Sequence, residues 1–269
     1  MDRRNRHSLK SALKELIKYR ELLFMITYRD IRIRYKQSVM GFLWAIFMPT
    51  LIVLAGVLVR YAYSTIASKP FSTGDIASVA VRSLPWALTV SAIRFGTSCL
   101  ISNGNLVTKI YFPREIFPIS AVVTALFDFL IASTAITVLL MFFGVGISVH
   151  IVLLPVLLLI LVSIITGAVT FFASAALFFR DVKYLVEILL TFGIFFTPVF
   201  FSVETLGRLG RYLLFNPISP ILEAIDSVVI AHQWPDMYWV GYSAAVGAFL
   251  LVFGYKFFKN LEPAFAESI

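Results

Sequence analysis

Apolar positions in this chain gather in runs far longer than a soluble core requires, and the polar positions fall in clusters between them. Runs able to cross roughly 30 Å of hydrocarbon occupy 39–59, 76–100, 116–143, 151–178, 184–201 and 237–253. They predict six transmembrane helices. The second run carries Arg82, Pro85 and Arg94, and the fifth is short, with Glu187 near its start. Two segments follow other patterns. Residues 8–36 set Leu9, Ala12, Leu13, Leu16, Tyr19, Leu23 and Ile26 along one side of a helix, with Lys10, Lys14, Lys18 and Arg29 off it. That is the pattern of an interfacial amphipathic helix, either a simple anchor or a docking platform for a partner. Residues 202–236 are too polar to span and too apolar for a linker. Their helical spacings around the turn NPISP predict two short helices against the outer interface, shaping an exit or lying as a lid.

Composition fits this picture. The chain is 59% hydrophobic and 14% charged, with mean hydropathy +0.89, too little charge to cover a soluble surface of this size. Its 26 Phe, 11 Tyr and 4 Trp exceed what an interfacial belt requires, which leaves some to line a path through the protein. The +8 net charge sits at the ends of apolar runs, as membrane topology demands, rather than in a nucleic-acid patch. With the N-terminus in the cytosol, 17 Lys and Arg fall on the cytosolic side. Five (Arg60, Lys69, Arg82, Arg208 and Arg211) fall opposite, and Arg94 stays inside. The positive-inside bias therefore predicts that both termini are cytosolic. About 36 polar and amphipathic residues precede the first run, so no cleavable signal peptide is expected. Cys99 reads as a small core residue.

Candidate chemistry is sparse. Asp128 lies mid-span on the small face made by Ala121, Ala125, Ala132 and Ala135, where a lone carboxylate is costly and must point into protein. Arg94, at similar depth on the adjacent span, is its expected partner, and a structural ion pair is favoured over a proton relay. Ser163, Gly167, Thr170 and Ser174 on the fourth run, and Gly241, Ala245 and Ala248 on the sixth, read as packing faces. No G-x-x-x-x-G-K-[ST] loop occurs, so ATP-driven work must be done by a partner. His7, His150 and His232 are scattered, which gives no metal site, and Glu204, Glu223, Asp226 and Asp236 read as solvated loop charge. A membrane sugar-transferring enzyme would need a catalytic constellation that these residues do not form.

Between the second and third runs lies NGNLVTKIYFPREIFP. Asn105 is a candidate N-cap, and Pro113 pushes Phe112 out of the helical region. One or two helical turns would offer Leu106, Val107, Ile110 and Tyr111 beside Lys109 to another protein, because apolar residues facing cytosol with no span to join are otherwise an association liability.

DIRIRYKQSVMGFLWAIFMP (30–49), NLVTKIYFPREIFPISAVV (105–123), FFRDVKYLVEILLTFGIFFTPVFF (178–201) and LLFNPISPILEAI (213–225) resemble the membrane subunit of type-2 ABC exporters for bacterial polysaccharides. The nearest likeness is to the O-antigen exporter permeases, with capsule and teichoic acid exporters as near relatives. The similarity runs from about 17 to 259. It implies an all-α inner-membrane protein with an amphipathic interface helix in 1–36, a six-span domain over 37–259 and a tail over 260–269. It further implies a homodimer above two separate ATPase subunits that bind ATP and Mg, with no cofactor in this chain. Segment 105–112 would be the coupling helix, touching the ATPase through Asn105, Leu106, Val107, Lys109, Ile110 and Tyr111, and 202–234 would hold gating helices. Aromatics of spans one and five would line the polymer path, Trp44, Phe47, Phe192, Phe195, Phe196, Phe200 and Phe201 being the candidates, since rings stack on sugar faces without selecting a linkage. No charged row selects a repeat unit. A proton-coupled transporter relying on Asp128 is the reading from another class, and no inverted repeats support it.

Overall fold

The computed structural model describes residues 15–36, 40–41, 43–66, 70–109 and 112–265, with the side chain of Lys109 outside the description. Ten α-helices are described: α1 (Arg20–Tyr35), α2 (Leu43–Ile66), α3 (Thr73–Ser102), α4 (Gly104–Lys109), α5 (Ile116–Phe142), α6 (Leu154–Phe178), α7 (Asp181–Gly193), α8 (Arg208–Leu213), α9 (Ser219–Asp226) and α10 (Met237–Leu261). No strand occurs among the described residues. Five helices, α2, α3, α5, α6 and α10, are long and apolar enough to cross a membrane.

Local chemistry sets the ends of these helices. Ser72 and Asp75 form a reciprocal capping box at the start of α3. Asp236 caps α10 by accepting the N–H of Tyr238 at 3.0 Å. Gly144 takes φ +72° after α5, where its N–H reaches the Met141 carbonyl and that of Val145 the Leu140 carbonyl.

The fifth predicted span, 184–201, is not a membrane-length helix. Helix α7 has 13 residues, about 20 Å at 1.5 Å each, continues as the 3₁₀ turn Ile194–Phe196, and then breaks. Thr197 precedes Pro198 and is forced into extended backbone (φ −132°, ψ 135°), which stops the helix. The apolar run is real, but its proline ends the helix early.

Helix α3 is the centre of the bundle. In its most apolar stretch 72% of residues are buried, against 17–28% in the other four long helices. It packs against α2, α5, α6, α7 and α9. The closest pairing is α6 with α10: a Cβ on Gly254 would sit 2.2 Å from the Gly167 carbonyl oxygen, and one on Gly167 2.4 Å from the Leu250 carbonyl carbon. On α6, Gly167, Thr170 and Ser174 are buried as expected of a packing face. The α10 expectation fails: Gly241, Ala245 and Ala248 are exposed, while Ser243, Gly247 and Gly254 face α6. Both sets are small, but they lie two positions apart, about 200° around the helix, so spacing cannot choose between them.

Helix α1 does not simply lie with its apolar side in lipid. Leu16, Tyr19, Leu22, Leu23 and Ile26 join a buried cluster with Val107, Ile116, Phe117, Phe258 and Phe265. Farther along α1, Asp30 accepts a hydrogen bond from Ser120 on α5. Arg34 and Tyr35 reach Asp128, twelve residues or about 18 Å along α5 from its start. Leu9, Lys10, Ala12, Leu13 and Lys14 lie outside the described residues. Helix α9 is also deeper than expected: Ser219 to Ile225, apart from Glu223, are buried, and it packs against α3, α6 and α10 rather than resting on the surface.

Candidate functional site

Three groups of residues carry the chemistry, one at each end of the bundle and one between. At the end bearing α4, the helix begins at Gly104 rather than after an Asn105 cap, since the Asn103 carbonyl accepts the N–H groups of Leu106 and Val107. Val107 is 1% exposed, packed in the buried cluster with Leu106 beside it, and cannot present itself to another protein in this arrangement. Asn105 and Thr108 face outward. Ile110 and Tyr111 lie outside the described residues, as does the Lys109 side chain.

A charged clamp holds α4 in place. The Arg114 guanidinium donates to the carbonyls of Val107 and Glu262, tying the last turn of α4 to the end of α10. Lys259 Nζ sits 2.7 Å from Glu115, 3.0 Å from Glu262 and 3.9 Å from Glu15. Glu115 is 1% exposed, and burial pushes its carboxyl above the usual glutamate range while Lys259 pulls it back. The first residues of the tail complete this seat: the 3₁₀ turn Glu262–Ala264 follows α10, and Phe265 is fully buried against Phe258.

Between the ends, a cavity of about 490 Å³ opens among α1, α2, α3 and α5. Trp44, Met48 and Phe95 form apolar walls; Arg34, Arg94 and Asp128 supply charge. The expected Arg94–Asp128 pair does not form. Asp128 is taken by Arg34 and by the Tyr35 hydroxyl, because α1 climbs along α5 and delivers both groups to that depth. The Arg34 guanidinium also lies 4.0 Å from the centre of the Phe95 ring. Arg94 turns to α7, where its Nε bonds both carboxylate oxygens of Glu187 at 3.0 Å.

At the far end, Arg82 is 4% exposed and donates to Asp226 at 2.6 Å and Glu223 at 3.1 Å. These three charges are buried or half-buried, not solvated loop charge. Beside them Arg60 bonds Asp75 and Thr205, closing a polar cavity of about 270 Å³. The signal was legible: an Arg inside an apolar run, and two acids at i, i+3 in SPILEAID. Reading the acids as loop residues hid it.

The candidate channel aromatics divide. Trp44 and Phe47 meet edge to face at 5.5 Å at the start of α2, both more than a third exposed. Phe192, Phe195 and Phe196 are exposed at the end of α7. Phe200 and Phe201 instead pack on α2, against Gly56 and Tyr63. No ring contact joins Trp44 or Phe47 to the α7 set among the described residues.

No family model matches the chain. Among curated proteins it is similar to the O-antigen export system permease protein RfbA of Myxococcus xanthus, 31% identical over 96% of this chain and 98% of that protein. It is also similar to two proteins of the same description from Klebsiella pneumoniae, 24% and 23% identical over 92% of the chain. A likeness of that degree over nearly the whole length of both chains, on an all-helical multi-pass architecture, leaves one assignment: the chain belongs to the O-antigen exporter permeases, the membrane subunits of type-2 ABC exporters.

Proposed function

We propose that the chain moves an O-antigen polysaccharide, already lipid-linked, across the cytoplasmic membrane as half of a homodimer, with two separate ATPase subunits binding ATP and Mg²⁺. The observation that carries this is the 31% identity to a named O-antigen permease without a large gap at either end. Helix α7 and its 3₁₀ continuation, about 25 Å together, make the sixth crossing with help from the re-entrant segment that holds α9. The charge bias then puts both termini and α4 in the cytosol. There α4 is the lever that an ATPase pushes. Asn105, Leu106, Lys109, Ile110 and Tyr111 are the residues that meet the motor, and Val107, buried in the cluster, seats the lever from behind. The exposed rings Trp44, Phe47, Phe192, Phe195 and Phe196 lie on the polymer path. Phe200 and Phe201, which the fold uses for packing, bound it.

The test is purification of the native complex together with a Leu106→Asp variant. The expected result is an ATPase that co-purifies with the wild type, and a variant that inserts normally but exports no polymer. Normal export by Leu106→Asp, or a chain that purifies with full transport and no ATPase, would overturn the reading.

A further inference from the structure

Arg114 stands between two helix ends that are far apart in the chain. Its guanidinium donates to the Val107 carbonyl in the last turn of α4, at 3.3 Å, and to the carbonyl of Glu262, which caps α10. Its backbone N–H donates to the Glu262 carboxylate at 3.4 Å, and its cation lies 5.9 Å from the centre of the Phe265 ring. One cation thus serves two helix C-termini, where the backbone dipoles leave negative charge. A guanidinium is planar and rigid, so the two carbonyls it bridges keep their separation when either moves. The neighbouring tie has a different reach. Lys259 on α10 holds Glu115 at 2.7 Å, which joins α10 to the start of α5 and leaves α4 untouched.

We infer, on the reading of α4 as the lever, that Arg114 is the positioning residue that carries displacement of α4 into α10, and that α10 is the rod that takes it across the bundle. The central strut is ill suited to that task. Helix α3 is 72% buried in its most apolar stretch and packs on five others, so shifting it disturbs every neighbour. Helix α10 is 17% buried in the same measure and is held chiefly by α6. Along that seam Gly247 faces Ser163 and Ile164, and Gly254 faces Gly167, with no long side chain between to absorb a shift. Contacts packed this closely transmit strain rather than damp it. The 25 residues of α10 span about 38 Å. Toward its other end Tyr242 donates to the Phe215 carbonyl at 2.8 Å, and α10 packs on α9, the helix that holds Glu223 and Asp226 against Arg82. A push received at Arg114 therefore arrives at the charged knot opposite.

The experiment reconstitutes the native complex in vesicles with the lipid-linked polymer of its own cell. Polymer moved per ATP hydrolysed is read beside the KM for ATP and the thermal transition. Arg114→Lys keeps the charge and loses the rigid bridge. Its complex should retain the ATPase and the wild-type KM, while polymer moved per ATP falls by roughly tenfold, within the range that single links in a coupled network control. Glu115→Gln/Lys259→Met cuts the tie that bypasses α4. It should lower the thermal transition and leave polymer moved per ATP unchanged. A wild-type ratio in Arg114→Lys would overturn the inference. So would a double variant that loses the ratio as far as Arg114→Lys does, because both ties would then act only by holding the fold. Loss of the ATPase from Arg114→Lys would overturn it too, by making Arg114 part of a docking surface. Failure of the lever itself reads differently: Leu106→Asp would then export normally whatever Arg114→Lys does.

Discussion

Arg82 and Arg94 look alike in the sequence, each a lone cation in one apolar run, and the structure gives them opposite standing. Arg82 is 4% exposed and tied to two acids; the Arg94–Glu187 pair is about two-fifths exposed on both sides. Removing one partner of a buried pair strands the other, at about 3–5 kcal/mol, while a half-exposed pair is worth under about 1 kcal/mol. Arg82→Met should therefore lower the thermal transition in detergent by many degrees, and Arg94→Gln should barely move it. Glu115, outside the spans, adds a dependence on pH. Its carboxyl is raised above the ordinary glutamate range by burial, against the pull of Lys259, so the folded state holds its proton more tightly than the unfolded one. Its contribution to stability is full below the ordinary value and is lost as pH rises through the raised one. Thermal scans across rising pH should show this slope in the wild type and a flatter one in Glu115→Gln. That Asp128 must have a partner was legible from its depth. Which arginine would answer depended on the path of α1, and no local pattern encodes that path.

Among the helices, the pairing of α6 with α10 depends on glycines that let two backbones touch. Gly254→Leu should cost about 1–3 kcal/mol or more through overpacking, because its Cβ would press on the Gly167 carbonyl. Gly241→Ala, with nothing within 4 Å, should be silent. Expression yield and thermal transition read both. Five of the six predicted spans fall on long helices, because twenty apolar residues in succession leave few alternatives. Three of them agree within three residues at each end, while α2 and α10 run 7 and 8 residues past the predicted ends. In the remaining run, the fifth, the helix stops short at Pro198, where hydropathy and backbone geometry disagree and geometry sets the helix end. The aromatics at that break separate two roles. Phe195→Ala/Phe196→Ala should reduce export with little change in stability, since both rings are exposed. Phe200→Ala should destabilise the chain by opening the contact with Gly56. An export assay run beside a melting curve distinguishes these outcomes.

Taken together, the helices wrap a single buried strut, α3, and leave most of the other long helices' surface for lipid or a second copy. The family could be recognised from four short stretches of sequence; of the three charged knots that hold the molecule's two ends and middle, Arg82 and its two acids left a trace, but the pairings themselves could not be read, because each joins segments distant along the chain. The knot at α4 has a consequence for how the protein is made. Arg114 meets its partner Glu262 across 148 positions, and Val107 shares its pocket with Phe258 and Phe265. Until α10 leaves the ribosome and enters the bilayer, α4 has no floor to rest on. On the role proposed for α4, a half-synthesised chain offers a motor nothing firm to grip, and assembly with an energy source is deferred until the bundle is complete.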